Sequence, residues 1–177
     1  MKKIILFSLV FTCRYANAQT ANDVTEAQPY IEDGLEMGYN IVNSSTKETN
    51  STDYSRYEVS FYVTNKSGAA KFILYSLSFL GSDDETSMKQ VAKFDCVNAT
   101  GARLTSKGAM IELKPFYVTA KQTKTNCDGK TVTEKNKVQI GYFIAAGATL
   151  HEKVILLVPL NEQPQIKVRL LQQFTIL

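Results

Sequence analysis

Histidine and tryptophan are almost missing from this sequence. The 177 residues include one histidine, His151, and no tryptophan. One histidine cannot build a zinc site from several imidazoles, and a Ser-His-Asp hydrolase would also need a Gly-x-Ser-x-Gly turn, which the chain lacks. We therefore interpret His151 as a surface strand residue. No catalytic residue, metal ligand or cofactor site is predicted.

Dense groups of carboxylates are also scarce. The tightest run is Asp83, Asp84 and Glu85, which lacks the ordered spacing of a calcium loop and is interpreted as a solvated turn. A hydrolase built on two carboxylates needs partners roughly 5 to 9 Å apart in the fold. Such an enzyme is the least favoured function.

The chain has no apolar run of the about 20 residues that a membrane helix requires. A shorter apolar run at 4–13 follows two lysines and precedes an Ala-Asn-Ala motif that ends at Ala18. This pattern is typical of a cleaved secretory signal peptide, predicted over 1–18. An alternative is a lipoprotein signal in which Cys13 is lipidated, although the residues before Cys13 are not small.

Export places the mature protein in the periplasm, at the outer membrane or outside the cell, since the leader resembles those of Gram-negative bacteria. Removing Lys2, Lys3 and Arg14 with the leader lowers the net charge from +3 to zero. A chain whose charges balance does not favour nucleic-acid binding, which needs an excess of clustered basic residues. No nucleic-acid partner and no transmembrane segment in the mature chain are predicted.

Apolar and polar residues alternate along most of the mature chain. In the clearest case, Tyr57, Val59, Phe61 and Val63 share one face, as a half-buried strand requires. A turn sequence at Asn65–Gly68 follows, and then an apolar run at 71–80 that reads as a central strand. The two runs predict a hairpin.

About eight or nine such strands, spaced roughly ten residues apart, predict an all-β fold. We favour an antiparallel β-sandwich of immunoglobulin-like architecture over 34–177, preceded by a loosely packed polar arm at 19–33. Pro115 within one run predicts an edge strand or a bulge. The alternative architecture is an eight-stranded β-barrel with an open interior.

The chain has three cysteines, and cleavage of the leader leaves Cys96 and Cys127. Cysteines of exported proteins tend to pair, so a Cys96–Cys127 disulfide is predicted. A reactive Cys127 would need a histidine base or a second cysteine close by, and the sequence around it has neither.

Basic residues are concentrated in one late segment. It contains Lys121, Lys124, Lys130, Lys135 and Lys137 against Asp128 and Glu134. A basic hairpin can bind an acidic partner, although lysines on exposed strands also suppress edge-to-edge association.

These features favour an exported, non-enzymatic β-sandwich module that binds a protein or glycan partner in a cell-envelope or surface assembly. The first alternative is a carrier with a pocket for a small apolar ligand, between the sheets or inside a barrel. A filled core would favour the interaction module, whereas an apolar cavity would favour the carrier.

Overall fold

The computed structural model describes residues 21–75, 85–98, 100–101, 108–125 and 127–174. The predicted leader and the acidic pair at 83–84 lie outside these residues. Within the described part the chain forms eleven strands and one helical turn. They are β1 (Asn22–Val24), β2 (Tyr30–Glu32), β3 (Leu35–Thr49), β4 (Thr52–Asn65), β5 (Lys71–Leu74), α1 (Glu85–Met88), β6 (Gln90–Val97), β7 (Ala109–Glu112), β8 (Lys114–Thr125), β9 (Thr131–Ile144), β10 (Thr149–Pro159) and β11 (Gln165–Leu170).

All strand pairs are antiparallel, and they form three sheets. Two sheets have four strands, in the orders β1-β11-β6-β7 and β10-β4-β3-β2, and the third has the order β5-β9-β8. The all-β, antiparallel prediction is confirmed. The sheets do not close into a barrel within the described residues, so the eight-stranded alternative is not formed there.

The two four-stranded sheets pack with their inner faces together, which is consistent with a β-sandwich. Phe61 of β4 and Phe94 of β6 hold their ring centroids 4.8 Å apart across this interface. The predicted alternation of β4 is confirmed, because Val59, Phe61 and Val63 are all fully buried. A hydrophobic cluster of the described residues joins side chains from all three sheets, and these side chains occupy the space between the faces.

The segment expected to be a loose polar arm contributes two short edge strands instead. β1 pairs with β11, and β2 pairs with β3. Val24 of β1 is 4% exposed and belongs to the hydrophobic cluster. Edge pairing and one buried valine are enough to hold this polar segment against the core.

The predicted hairpin between β4 and β5 is wrong. β4 pairs with β3 and β10, whereas β5 pairs only with β9 among the described residues and is an edge strand. The reason lies at Asn65, whose Nδ2 donates to the carbonyls of Ala69, Ile144 and Ala145. Its Oδ1 accepts from the Ser67 amide. Residues 66–70 therefore curl around one buried amide and lead the chain into the third sheet.

A run that reads as one strand is divided between two sheets. β7 pairs with β6, and β8 begins two residues later and pairs with β9. Leu113 lies between them and is 5% exposed. Pro115 lies in the edge strand β8 next to a bulge at Phe116 and Tyr117, which confirms the predicted role of the proline.

Candidate functional site

β8 and β9 form a long hairpin that is anchored only at its base. The Phe116 ring lies 4.9 Å from Phe72 and 5.6 Å from Phe143, centroid to centroid. This aromatic group fastens the hairpin to the third sheet. At the far end the turn contains Gly129 with φ of 74°, a left-handed conformation that glycine adopts without steric cost.

Beyond the anchor, the described residues of the hairpin, 118–125 and 127–138, are all exposed. We call residues 118–125 and 131–138 the ribbon; they pair without a register shift from Val118↔Val138 to Thr125↔Thr131. A two-stranded ribbon that buries neither face is marginally stable in water. A long ribbon of this kind contributes little to the stability of the fold, and it exposes a large backbone and side-chain surface to other molecules.

One face of the ribbon is basic. Cross-strand partners share a face, and Lys121 lies directly opposite Lys135. Lys137 lies two pairs closer to the base, on the same face. No acidic residue belongs to this face. We call it the lysine face; its members are Thr119, Lys121, Thr123, Thr125, Thr131, Thr133, Lys135 and Lys137.

The other face combines apolar with polar side chains, and its charges balance. Val118 and Val138 are opposite each other and are 37% and 44% exposed. Lys124 Nζ lies 3.3 Å from Glu134 Oε2, so the charge of Lys124 is already paired. We call this the valine face; its members are Val118, Ala120, Gln122, Lys124, Val132, Glu134, Asn136 and Val138.

The structure therefore separates the five lysines that the sequence grouped together. Lys121, Lys135 and Lys137 share the lysine face, Lys124 lies on the opposite face, and Lys130 lies in the tip loop. The three lysines of one face form the strongest uncompensated charge of the hairpin.

The predicted disulfide is not formed in the structure. Cys96 is 1% exposed within β6, and Cys127 is exposed in the tip loop of the hairpin, beyond the ribbon. A disulfide requires α-carbons within about 7 Å of each other. The structure contains no Cys96–Cys127 bond, and the pairing stays a prediction.

A second surface feature is an open cleft of about 680 Å³ beside β1. Its lining includes Asp23, Glu26, Tyr39 and Glu162. Glu26 Oε1 accepts a hydrogen bond from the Ile41 amide at 2.6 Å, and Asp23 forms an ion pair with Lys167 at 3.6 Å.

Tyr39 forms the inner wall of this cleft. Burial raises the pKa of Tyr39 above its ordinary value of 10.0, and the charges of Glu26 and Cys96 raise it further.

Two of the three carboxylates of the cleft, Asp23 and Glu26, are held by protein groups. The cleft is a poor match for the pair of free carboxylates that a glycosidase needs.

Other candidate chemistry is sparse in the described residues. His151 lies exposed in β10 opposite Tyr62, as the sequence predicted. No group of three histidine, cysteine or carboxylate side chains in the described part of the chain is placed to hold a metal ion. No helix among these residues is long and apolar enough to cross a membrane.

We compared the chain with protein-family models, with curated proteins and with solved structures, and found no match.

Proposed function

We propose that this chain is an exported, non-enzymatic β-sandwich module of immunoglobulin-like architecture that binds a protein or glycan partner in a cell-envelope or surface assembly. The β8–β9 hairpin is the binding element. Its lysine face contacts an acidic or otherwise anionic region of the partner.

The observation that carries this proposal is the pair Lys121 and Lys135. Like charges directly opposite each other on two strands destabilise a sheet. An isolated ribbon has no buried area to offset this cost. An anion bound between the two ammonium groups would attract both of them. The opposed lysines therefore lower the stability of the free ribbon and favour the binding of an anion.

The filled core favours this function over the carrier of a small apolar ligand. Phe61, Phe94 and Met37 are fully buried between the sheets. The cleft beside β1 is open, and its lining mixes apolar side chains with three carboxylates, which does not suit an apolar ligand. Neither feature provides the enclosed apolar cavity that a carrier requires.

The experiment is quantitative capture from the envelope fraction of the native cells. Immobilised protein, residues 19–177, is compared with the triple variant Lys121→Gln, Lys135→Gln, Lys137→Gln, and bound proteins and glycans are identified by mass spectrometry. A second comparison uses the single variants Lys121→Gln and Lys124→Gln. Each removes one positive charge from β8, but on opposite faces, so Lys124→Gln is the matched control for Lys121→Gln. We expect the triple variant to lose the partner and Lys124→Gln to retain it. Equal capture by all variants would rule out the lysine face as the binding element.

A further inference from the structure

Among the residues that the structure describes, none pairs with the outer edge of β8 along the ribbon. In the sheet order β5-β9-β8, β8 is the last strand, and within the described residues it pairs with β9 alone. An edge strand exposes a row of backbone N–H and C=O groups. An extended segment of another protein can pair with such a row and become an additional strand.

Two features that usually block an edge, a proline and a bulge, lie at the base of β8. Lysine, which also blocks edges, disfavours pairing with a basic strand, whereas an acidic strand would neutralise its charge. Pro115 and the bulge after Phe116 both precede the ribbon. Within the ribbon, β8 has no proline, and its only charged residues are Lys121 and Lys124. Eight regular residues give about 26 Å of edge available for pairing.

The two faces of the ribbon select different side chains. On the lysine face, a carboxylate beside Lys121 would replace lysine–lysine repulsion with an attractive cross-strand pair. On the valine face, Val118 and Ala120 would contact an apolar side chain. Successive residues of a strand point to opposite faces, so one added strand meets both requirements when its acidic and apolar residues alternate.

We propose that the edge of β8 binds an extended segment of an acidic protein partner in which acidic and apolar residues alternate, as an additional strand of the third sheet. This inference rests on the proposed function and specifies its partner. An anionic glycan would contact the lysine face only, and it would leave both the valine face and the backbone edge unused.

The test uses a fluorescent synthetic peptide of about nine residues in which glutamate and valine alternate, titrated with the 19–177 protein. One control peptide has the same composition with glutamates and valines in two blocks. Two further controls are N-methylated versions of the alternating peptide. One carries methyl groups on the odd-numbered amides and the other on the even-numbered amides, so each has lost the pairing N–H groups of one of its two edges. Sodium polygalacturonate is the glycan probe.

We expect the alternating peptide to bind, the block peptide to bind about tenfold more weakly, and N-methylation in one register to abolish binding. Lys121→Gln and Val118→Thr should each raise the Kd about threefold. Lys124→Gln should raise the Kd less than Lys121→Gln does, because Lys124 lies on the opposite face. Amide hydrogens of β8 should exchange more slowly in the complex. Because all three side chains are exposed, unchanged unfolding midpoints of the variants exclude misfolding as the cause.

Equal affinity for the alternating and block peptides overturns strand addition, because charge alone would then explain binding. Binding of polygalacturonate that depends on Lys121, without binding of the alternating peptide, overturns this inference and leaves the proposed function standing. Absence of binding by the alternating peptide overturns it in any case. Whether the proposed function also falls is decided separately, by envelope capture with the triple lysine variant.

Discussion

Phe61 and Phe94 join the two four-stranded sheets through rings whose centroids are 4.8 Å apart, and both side chains are fully buried. Phe94→Ala should lower the free energy of unfolding by about 3–5 kcal/mol, because it removes apolar contacts and leaves a cavity. Urea denaturation measures this loss. Tyr117→Ala, at a side chain that is 51% exposed, is the control and should change stability by less than about 0.5 kcal/mol. A loss at Phe94 as small as that of the control would contradict face-to-face packing.

Asn65 supports a second prediction, about the passage between the sheets. Asn65→Ala removes the donor to three carbonyls and the acceptor for the Ser67 amide. Leaving buried polar groups without partners should cost about 2–3 kcal/mol of unfolding free energy, measured by urea denaturation. The exposed Asn43→Ala serves as the control. If both variants unfold at the same urea concentration, Asn65 does not organise this turn.

The contacts of Asn65 also explain why the partner of β5 is not predictable from the sequence. The alternation of β4 is readable from the sequence, because period-two patterning needs only local information. The partner of β5 was not readable, because it depends on Asn65 reaching Ile144 and Ala145, about 80 residues away in the chain. A turn motif indicates that the chain bends, but it does not determine which sheet the next strand joins.

The candidate site was predictable in composition and not in arrangement. The cluster of lysines was visible, and opposite faces for Lys121 and Lys124 follow from their odd separation. The opposition of Lys121 and Lys135 depends on the register set by the tip loop. The number of cysteines likewise does not show that Cys96 lies within β6 and Cys127 in the tip loop of the hairpin.

The two cysteines give a third prediction. In the native protein, Ellman's reagent should modify one thiol rapidly, that of Cys127, because its side chain is exposed. The thiol of Cys96 is buried in β6 and should react only after denaturation, without any reductant. Cys127→Ser should abolish the rapid phase and leave the slow one. Finding no thiol in denatured, unreduced protein would instead restore the disulfide.

Tyr39 gives a prediction about alkaline pH. Burial, followed by the charges of Glu26 and Cys96, raises the pKa of Tyr39 above 10.0 in the folded state. The unfolded chain therefore releases this proton first, so stability is fully present below about pH 10 and declines as pH rises through the folded pKa. Tyr39→Phe removes this contribution. The stability difference between wild type and variant, measured by urea denaturation, should shrink between pH 8 and pH 11. A constant difference would mean that Tyr39 titrates identically in both states.

The last prediction separates stability from binding at Lys121. Lys121→Glu places a carboxylate opposite Lys135 and should stabilise the ribbon by about 0.5–1 kcal/mol, seen as slower amide exchange from Val118 to Thr125. Salt at about 1 M should slow exchange in the wild type, because it screens the lysine pair, and should speed it in Lys121→Glu. Lys124→Glu is the matched control; it breaks the pair with Glu134 and should loosen the same ribbon.

Partner capture should change in the opposite direction, with Lys121→Glu weaker than Lys121→Gln, because the new carboxylate repels an anionic partner. A variant that both tightens the ribbon and binds as well as the wild type would show that the lysine pair has no role in recognition. A tighter ribbon with weaker binding would mean that the hairpin retains an unfavourable pair of charges because the partner neutralises it.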